Sequence, residues 1–259
     1  MKVMTFNLRT DNLLDIRNPW NKRASMVYKV INQYDCDIIG VQELKNNMLK
    51  VMEENLENYT IVGEARTKKF FSERNDILIK KEHIIKEYNT FWLSKNPDQE
   101  GSSQWHSLFP RICTTALVKL KEGAEVRVYN THLDCLSPWA REFGLKKISQ
   151  VIEKNYDKEN TPVILMGDFN ANPTSKIIRN FTGGIYSKKN FIAVQEFDRN
   201  MYNESTMSKF KGNSKGMHID YIFLSEEFNI KGTEIIKYNE EGKYPSDHYP
   251  LMAEIEIKY

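Results

Sequence analysis

The stretch Val163-Ile164-Leu165-Met166-Gly167-Asp168-Phe169-Asn170 constrains this chain more than any other. Four apolar residues run into a glycine, and a carboxylate and a carboxamide follow, two positions apart. In a strand, residues two apart point to the same side. The pattern predicts a buried strand over 163–167 with Asp168 and Asn170 projecting together from its end. Such an end packs poorly and suits a site. The same construction recurs at Asn130-Thr131-His132-Leu133-Asp134, His218-Ile219-Asp220-Tyr221 and Ser246-Asp247-His248. Histidines and carboxylates gathered at strand ends are the set that metal-assisted phosphate chemistry uses.

The rest of the chain supplies a frame for those ends. A strand is expected over 2–8, then a polar loop over 9–20. Val27, Val30, Ile31 and Tyr34 follow at helical spacing. A second buried strand, 36–41, ends at Gln42-Glu43, and Leu44, Met48, Met52 and Leu56 mark another helix. Strands are expected near 59–63, 77–80, 84–93, 112–119 and 125–133, with a long loop at 94–111. A loop of that length in a compact domain is often functional. Leu145, Ile148, Val151 and Ile152 give a helix after Pro138, and a short helix is expected near 174–181 with Thr174 or Ser175 as cap. Residues 182–217 read as mostly irregular, and strands near 219–224, 230–237 and 250–257 finish the chain. With no linker, repeat or low-complexity tract, residues 1–259 read as one domain. Early helices and many strands suggest two sheets stacked face to face with helices outside.

Composition narrows the function. The chain has 37 Lys+Arg against 35 Asp+Glu, which argues against a protein built to coat nucleic acid with a basic stripe. Cys36, Cys113 and Cys135 form no disulfide framework and no zinc spacing, as expected of reduced thiols in a cytoplasmic protein. No apolar run approaches the roughly 20 residues of a membrane span, so no membrane association is expected, and no obligate protein partner is evident.

Taken singly, each candidate group has an ordinary alternative. Glu43 suits Mg²⁺ or Mn²⁺, hard cations that prefer oxygen, or is a helix N-terminal acid. Asn7 orients a carboxylate or phosphate oxygen, or is a turn residue. Asn130, His132 and Asp134 share a face in alternation, and His132 either donates to a phosphate oxygen or is structural. Asp247 holds a metal while His248 takes a water proton, with Asp220 fixing the His248 tautomer; otherwise Ser-Asp-His is a polar turn. Six polar clusters at six strand ends are hard to explain jointly as turns.

Those residues carry a resemblance to the endonuclease/exonuclease/phosphatase superfamily. Phe6-Asn7, Gln42-Glu43, Thr131-His132-Leu133, Gly167-Asp168-Phe169-Asn170, Ile219-Asp220-Tyr221 and Ser246-Asp247-His248 occur in the expected order over nearly the whole chain. The resemblance implies an α+β fold, a four-layer α/β/β/α sandwich of two mixed sheets, with the site at one end of the paired sheets. It implies hydrolysis of a phosphate ester with one or two Mg²⁺ (or Mn²⁺) ions. On this basis Glu43, Asp247 and Asn7 belong to the metal side. Asp168 positions or deprotonates the attacking water, Asn170 and His132 contact the phosphate, and Asp220 pairs with His248. The tyrosine block of the exonuclease III branch is not evident. Met4–Arg9, Phe91–Ser94 and Pro110–Cys113 look most like a bacterial branch of small members, nearer the deadenylase type.

Arg111, before a strand, is a candidate phosphate ligand or a surface ion pair. Trp20, Arg23, Trp105 and Arg141 are candidates for the mouth; Trp20 reads equally as packing and Arg141 as an exposed helix turn. The expected substrate is a phosphorylated small molecule or nucleotide. The alternative is DNA or RNA, toward which Lys188, Lys189, Lys209, Lys211 and Lys215 lean if they cluster, a solvated loop being the plainer reading. A non-catalytic binding module should have lost a metal ligand or the Asp-His pair, and none is lost here.

Overall fold

The computed structural model describes residues 1–12, 14–69 and 72–258. Leu13, inside the expected 9–20 loop, lies outside the described residues, as do Phe70, Phe71 and Tyr259. In chain order the elements are β1 (Lys2–Asn7), α1 (Trp20–Tyr34), β2 (Ile38–Gln42), β3 (Leu44–Lys45), α2 (Asn46–Asn55), β4 (Tyr59–Val62), β5 (Glu73–Arg74), β6 (Ile77–Lys80), β7 (Ile84–Trp92), β8 (Ile112–Lys119), β9 (Glu125–His132), α3 (Pro138–Glu159), β10 (Val163–Asp168), α4 (Lys176–Thr182), β11 (Phe191–Ala193), β12 (Asp220–Ser225), β13 (Phe228–Ile235) and β14 (Leu251–Ile257).

Two six-stranded sheets run β13-β14-β1-β2-β6-β4 and β11-β12-β10-β9-β8-β7. Each has one parallel pair at its centre, β1 with β2 and β9 with β10, and the remaining pairs are antiparallel. Parallel neighbours need a crossover, and α1 and α3 provide them. The period-2 alternation then sorts the side chains into layers. Val3, Ile38, Val128, Ile164 and Met166 meet between the sheets. Met4, Phe6, Ile39 and Val41 face Val27, Val30, Ile31 and Met48 of α1 and α2. Tyr129, Leu165 and Phe223 face Leu145, Ile148 and Phe181 of α3 and α4. The result is the four-layer α/β/β/α sandwich.

The inter-sheet rows turn polar at one end: Val3-Thr5-Asn7, Val128-Asn130-His132 and Ile164-Met166-Asp168 each continue an apolar row into a functional group. Just before that change the sheets are tied by amides. Gln42 Nε2 donates to Asn130 Oδ1 (2.7 Å), and Asn130 Nδ2 donates to the carbonyls of Val41 (2.9 Å) and Asp76 (2.8 Å). Gly40 lets the sheets close here: a Cβ on it would lie 2.7 Å from Met166 Sδ and 2.8 Å from Asn130 Cγ.

Several expectations need correction. Leu44 does not open a helix; Leu44-Lys45 pair with Glu73-Arg74 in a two-stranded ribbon, and α2 begins at Asn46. The last strands are shifted, with β13 at Phe228–Ile235 rather than 230–237. Residues 182–217 are mostly irregular, as expected, with β11 and two short 3₁₀ turns among them. The polar groups are not all at strand C-termini: Asp220 opens β12, and Asp247-His248 precede β14. Antiparallel neighbours bring their starts to the same edge as the ends of the central pair.

Asn130→Ala would take the Asn130 donor from the buried carbonyls of Val41 and Asp76 and would take from Gln42 Nε2 its shortest acceptor, leaving it only Thr5 Oγ1 and the Gly40 carbonyl. Denaturant unfolding is expected to show a loss of about 3 kcal/mol, above that of a simple cavity of this size.

Candidate active site

Asp168 Oδ2 is the hub where the two sheets meet. Asn7 Nδ2 donates to it (3.1 Å), and also to Glu43 Oε1 (3.2 Å), so one carboxamide bridges two carboxylates. His132 Nε2 stands 3.6 Å from the same oxygen and His248 Nε2 3.8 Å. The backbone N–H of Asn170 caps the other oxygen of Asp168 at 2.8 Å. His248 Nδ1 lies 2.9 Å from Asp220 Oδ2, which directs Nε2 toward Asp168. Glu43 Oε2 accepts from the Thr10 N–H (2.9 Å). Asp247 stands within 3.8 Å of Arg9 Nη1, and the Glu43 charge acts on its carboxyl. Asn7, Glu43, Asp247 and His248 therefore come from one sheet, and His132, Asp168, Asn170 and Asp220 from the other.

Local backbone choices make this possible. Gly167 sits at φ 146°, where a Cβ would lie 1.9 Å from the Thr131 carbonyl oxygen, so β10 can run against β9 at this point only as glycine. Arg9 (φ 54°), Glu43 (φ 59°) and Asn170 (φ 48°) are non-glycine residues in the left-handed region, a strained choice that concentrates at functional sites. Asn170 is also why the alternation argument fails for it. The strand ends at Asp168, and the turn sends the Asn170 side chain to the Leu133 carbonyl (3.1 Å), while its N–H holds Asp168.

Burial dominates the electrostatics. It raises the Asp168 carboxyl to about 7, helped by the neighbouring Asp220 charge. Burial also raises Asp247. Burial opposes a charged His248, but the Asp220 carboxylate and its hydrogen bond outweigh it and hold the imidazole pKa well above its usual value. His132 goes the other way, lowered by burial and by Arg111, and is neutral. Two imidazoles of opposite protonation thus flank one carboxylate.

The remaining candidates divide. Arg111 is buried, 3.6 Å from Asp134 Oδ2, with its Nη2 3.5 Å from Cys135 Sγ; its Nε has no hydrogen-bond partner. Arg141 Nη1 donates to the Asp134 carbonyl (2.9 Å), and the Asp168 charge reaches its guanidinium. Asp134 itself turns away from Asn130 and His132 to accept from the N–H groups of Leu136 and Ser137 and from Ser107. Trp20 is only 6 % exposed and belongs to the core under the first sheet, not to a mouth. Arg23 is equally buried. It donates to the carbonyls of Leu8, Arg9, Thr10, Asn18 and Pro245, and stacks on Trp20 at 5.0 Å. An apolar indole and a cation that satisfies carbonyls from inside are packing devices here. Trp105 is exposed on the 94–111 loop.

Sequence reasoning missed Arg9, which is clamped by Asp15 (2.8 Å) beside Asp247, and the carbonyl-gathering role of Arg23. No spacing signal marks either. The lysines of 182–217 do not form a stripe: Lys189 pairs with Glu227 beyond the far end of β12, whereas the N–H of Lys209 bonds to the Asp247 carbonyl at the site end.

The donor set is carboxylate- and carboxamide-rich with no thiolate among the groups facing Asp168, which fits a hard divalent cation. The two sheets of the α/β/β/α sandwich meet in this buried carboxylate–histidine site. Residues 4–248 match the Endonuclease/Exonuclease/phosphatase family, and the chain belongs to that family. The structure of a mannosyl-6-phosphatase from Bacteroides thetaiotaomicron VPI-5482 is similar, with TM-score 0.89 and 28 % identity over 99 % of this chain and 100 % of that one. A second family protein from Bacteroides thetaiotaomicron superposes with TM-score 0.90 at 28 % identity, covering 98 % and 94 %. The Ccr4 3'-5'-exoribonuclease subunit of the CCR4-Not complex of Candida albicans is 22 % identical over 92 % of this chain, which spans 38 % of its length. This protein is accordingly a phosphoester hydrolase of a family that acts with divalent metal ions. Among the described residues no helix is long and apolar enough to cross a membrane.

Because burial holds the folded Asp168 near 7 against 3.8 for the free side chain, the folded state binds its proton more tightly than the unfolded state. That stabilisation is complete below pH 3.8 and is lost as pH rises to about 7. In metal-free protein, Asp168→Asn is therefore expected to be more stable than the wild type at pH 8, on the order of 2 kcal/mol, with the gap closing toward pH 4. Urea unfolding at both pH values with a chelator present checks it.

Proposed function

We propose that this protein is a Mg²⁺-dependent phosphatase of a small phosphorylated metabolite, a sugar phosphate being the favoured class. The observation that carries the reading is the Asp168 carboxylate, buried between a neutral His132 and a His248 held by Asp220. The 28 % identity to a mannosyl-6-phosphatase over the full length of both chains supports the substrate class, as does the near-balance of charge. Glu43, Asp247 and Asn7 would hold the cation. When bound, it neutralises charge on the phosphate oxygens and the leaving oxygen.

The chain's own residues supply the remainder. A carboxylate whose pKa lies near 7 is matched to accept a proton from water at neutral pH, and Asn7 and the Asn170 N–H fix its orientation. His248 Nε2 carries a proton toward the same centre and donates it to a phosphoryl or leaving oxygen. Asp220 keeps the other nitrogen protonated and the ring in place. Neutral His132, with Nδ1 or Nε2 as donor, and Arg111 offer hydrogen bonds to non-bridging oxygens. All are set in advance in a low-dielectric pocket, where such contacts act strongly on developing charge.

Hydrolysis across a panel of sugar phosphates, nucleotides and single- and double-stranded nucleic acid is expected to be greatest with a sugar phosphate, and to stop when a chelator removes the cation. Glu43→Gln is expected to raise the Mg²⁺ requirement at least about tenfold or to abolish turnover. Full activity in excess chelator, or a nucleic acid as the best substrate, would replace this reading.

His248→Ala and Asp220→Asn should impair one function between them. Residues acting as a unit are strongly non-additive, so the double variant is expected to be about as slow as the slower single one at saturating substrate and metal. Losses that multiply would show that Asp220 acts independently of His248.

A further inference from the structure

A groove of about 420 Å³ opens beside the candidate active site, between the start of α3 and the 170–177 turn. Its lining includes Trp139, Arg141, Glu142, Asn170, Asn172 and Lys176. Trp139 is 73 % exposed, and no ring or cation stacks on its indole among the described residues. Two of the other lining residues are tied to the reaction centre. Asn170 caps Asp168 through its N–H, and Arg141 is anchored on the Asp134 carbonyl within reach of the Asp168 charge. The groove thus adjoins the site through Asn170 and Arg141.

We infer that this groove is a saccharide subsite, in which a pyranosyl ring of the substrate stacks on Trp139 while its phosphate lies at Asp168. The inference rests on the phosphatase reading above. A pyranose has one face of C–H groups and a rim of hydroxyls, each both donor and acceptor. An exposed indole offers the matching apolar face, large and rigid, at little entropic cost. Around it stand the carboxamides of Asn170, whose Nδ2 is given to the Leu133 carbonyl, and Asn172, the Glu142 carboxylate paired with Lys146, the Lys176 ammonium and the Arg141 guanidinium. That mixture of donors and acceptors on several sides suits a rim of hydroxyls. A nucleobase presents its donors and acceptors in one plane and mostly on one edge, and would leave much of the mixture unused. A solvent-exposed tryptophan beside a few convergent polar groups is also how ligand sites are commonly built.

Two measurements test this. In the first, kcat/KM is compared for a hexose 6-phosphate and for glycerol phosphate, which has no ring. The ratio of the two is expected to fall about tenfold in Trp139→Ala, mostly through KM for the sugar, and to stay within about twofold of wild type in Trp139→Phe. Because the indole is mostly outside the core, thermal melting of the variant should match that of the wild type. An unchanged ratio overturns the subsite, and so does a Trp139-dependent preference for a nucleoside monophosphate over the hexose phosphate. The second measurement needs neither metal nor turnover. A neutral disaccharide is titrated against the protein's tryptophan fluorescence, and the signal change is expected in wild type and absent in Trp139→Phe. No change in wild type, or the same change in both, overturns the subsite and leaves the phosphatase reading standing. A Trp139-dependent change with no phosphoester hydrolysis on any substrate keeps the subsite and removes the phosphatase reading instead.

Discussion

The site depends on the placement of one sheet against the other, and a single buried amide pair sets that placement. Apolar packing between sheets is non-directional and tolerates sliding. Gln42 and Asn130 do not, because each finds its partners at one register only: Asn130 reaches two carbonyls of the first sheet's strands and receives the Gln42 amide. Gln42 also donates to Thr5 Oγ1 at 3.1 Å, which extends the lock to β1. Every contact across the site, from Asn7 to Asp168 and from His248 to Asp220, spans the same interface one or two residues further on. A slip there would part the metal side from the phosphate side while leaving both sheets intact.

Gathering acids in this interface has a cost, and the structure shows how it is contained. Glu43 and Asp168 are kept apart by the carboxamide they share. Asp220 is compensated by His248, and Asp247 by Arg9, which Asp15 in turn fixes. Each acid has a partner, but none is fully neutralised, and Asp220 Oδ1 and Arg111 Nε have no hydrogen bond at all. Such partial satisfaction is expensive for folding. It leaves reactive groups poised rather than quenched, the usual compromise between stability and activity.

Much of this was legible in the sequence because alternation and interruption are local signals. Val163–Met166 running into Gly167-Asp168 marked a buried strand with a functional end, and the row Val128-Asn130-His132 marked a face that turns polar. The layers followed from the helical spacing at Val27–Tyr34 and Leu145–Ile152. What escaped was set by long-range partners. Trp20 read equally as a mouth residue or as packing, because a tryptophan in a polar loop does not by itself say whether a core lies beneath it; here it does. Asn170 seemed to share a face with Asp168, but a left-handed turn intervenes. Leu44 kept helical spacing with Met48 and yet joined a ribbon, because Glu73-Arg74 pass beside it.

Arg23 separates two things that most loops must do together. The segment after β1 and the one before Asp247 converge on its guanidinium, which binds the carbonyls of Leu8, Arg9, Thr10, Asn18 and Pro245 from within. Burial lowers its pKa to about 10, still far above neutrality, so the cation persists. Carbonyls are common to all residue types, so this anchoring makes little demand on which side chains the loop displays outward. The exposed Arg17 of this loop is therefore not needed to keep Glu43 and Asp247 in place. The rim of the site can thus differ in its outward side chains while the backbone that carries the centre stays anchored on one buried cation.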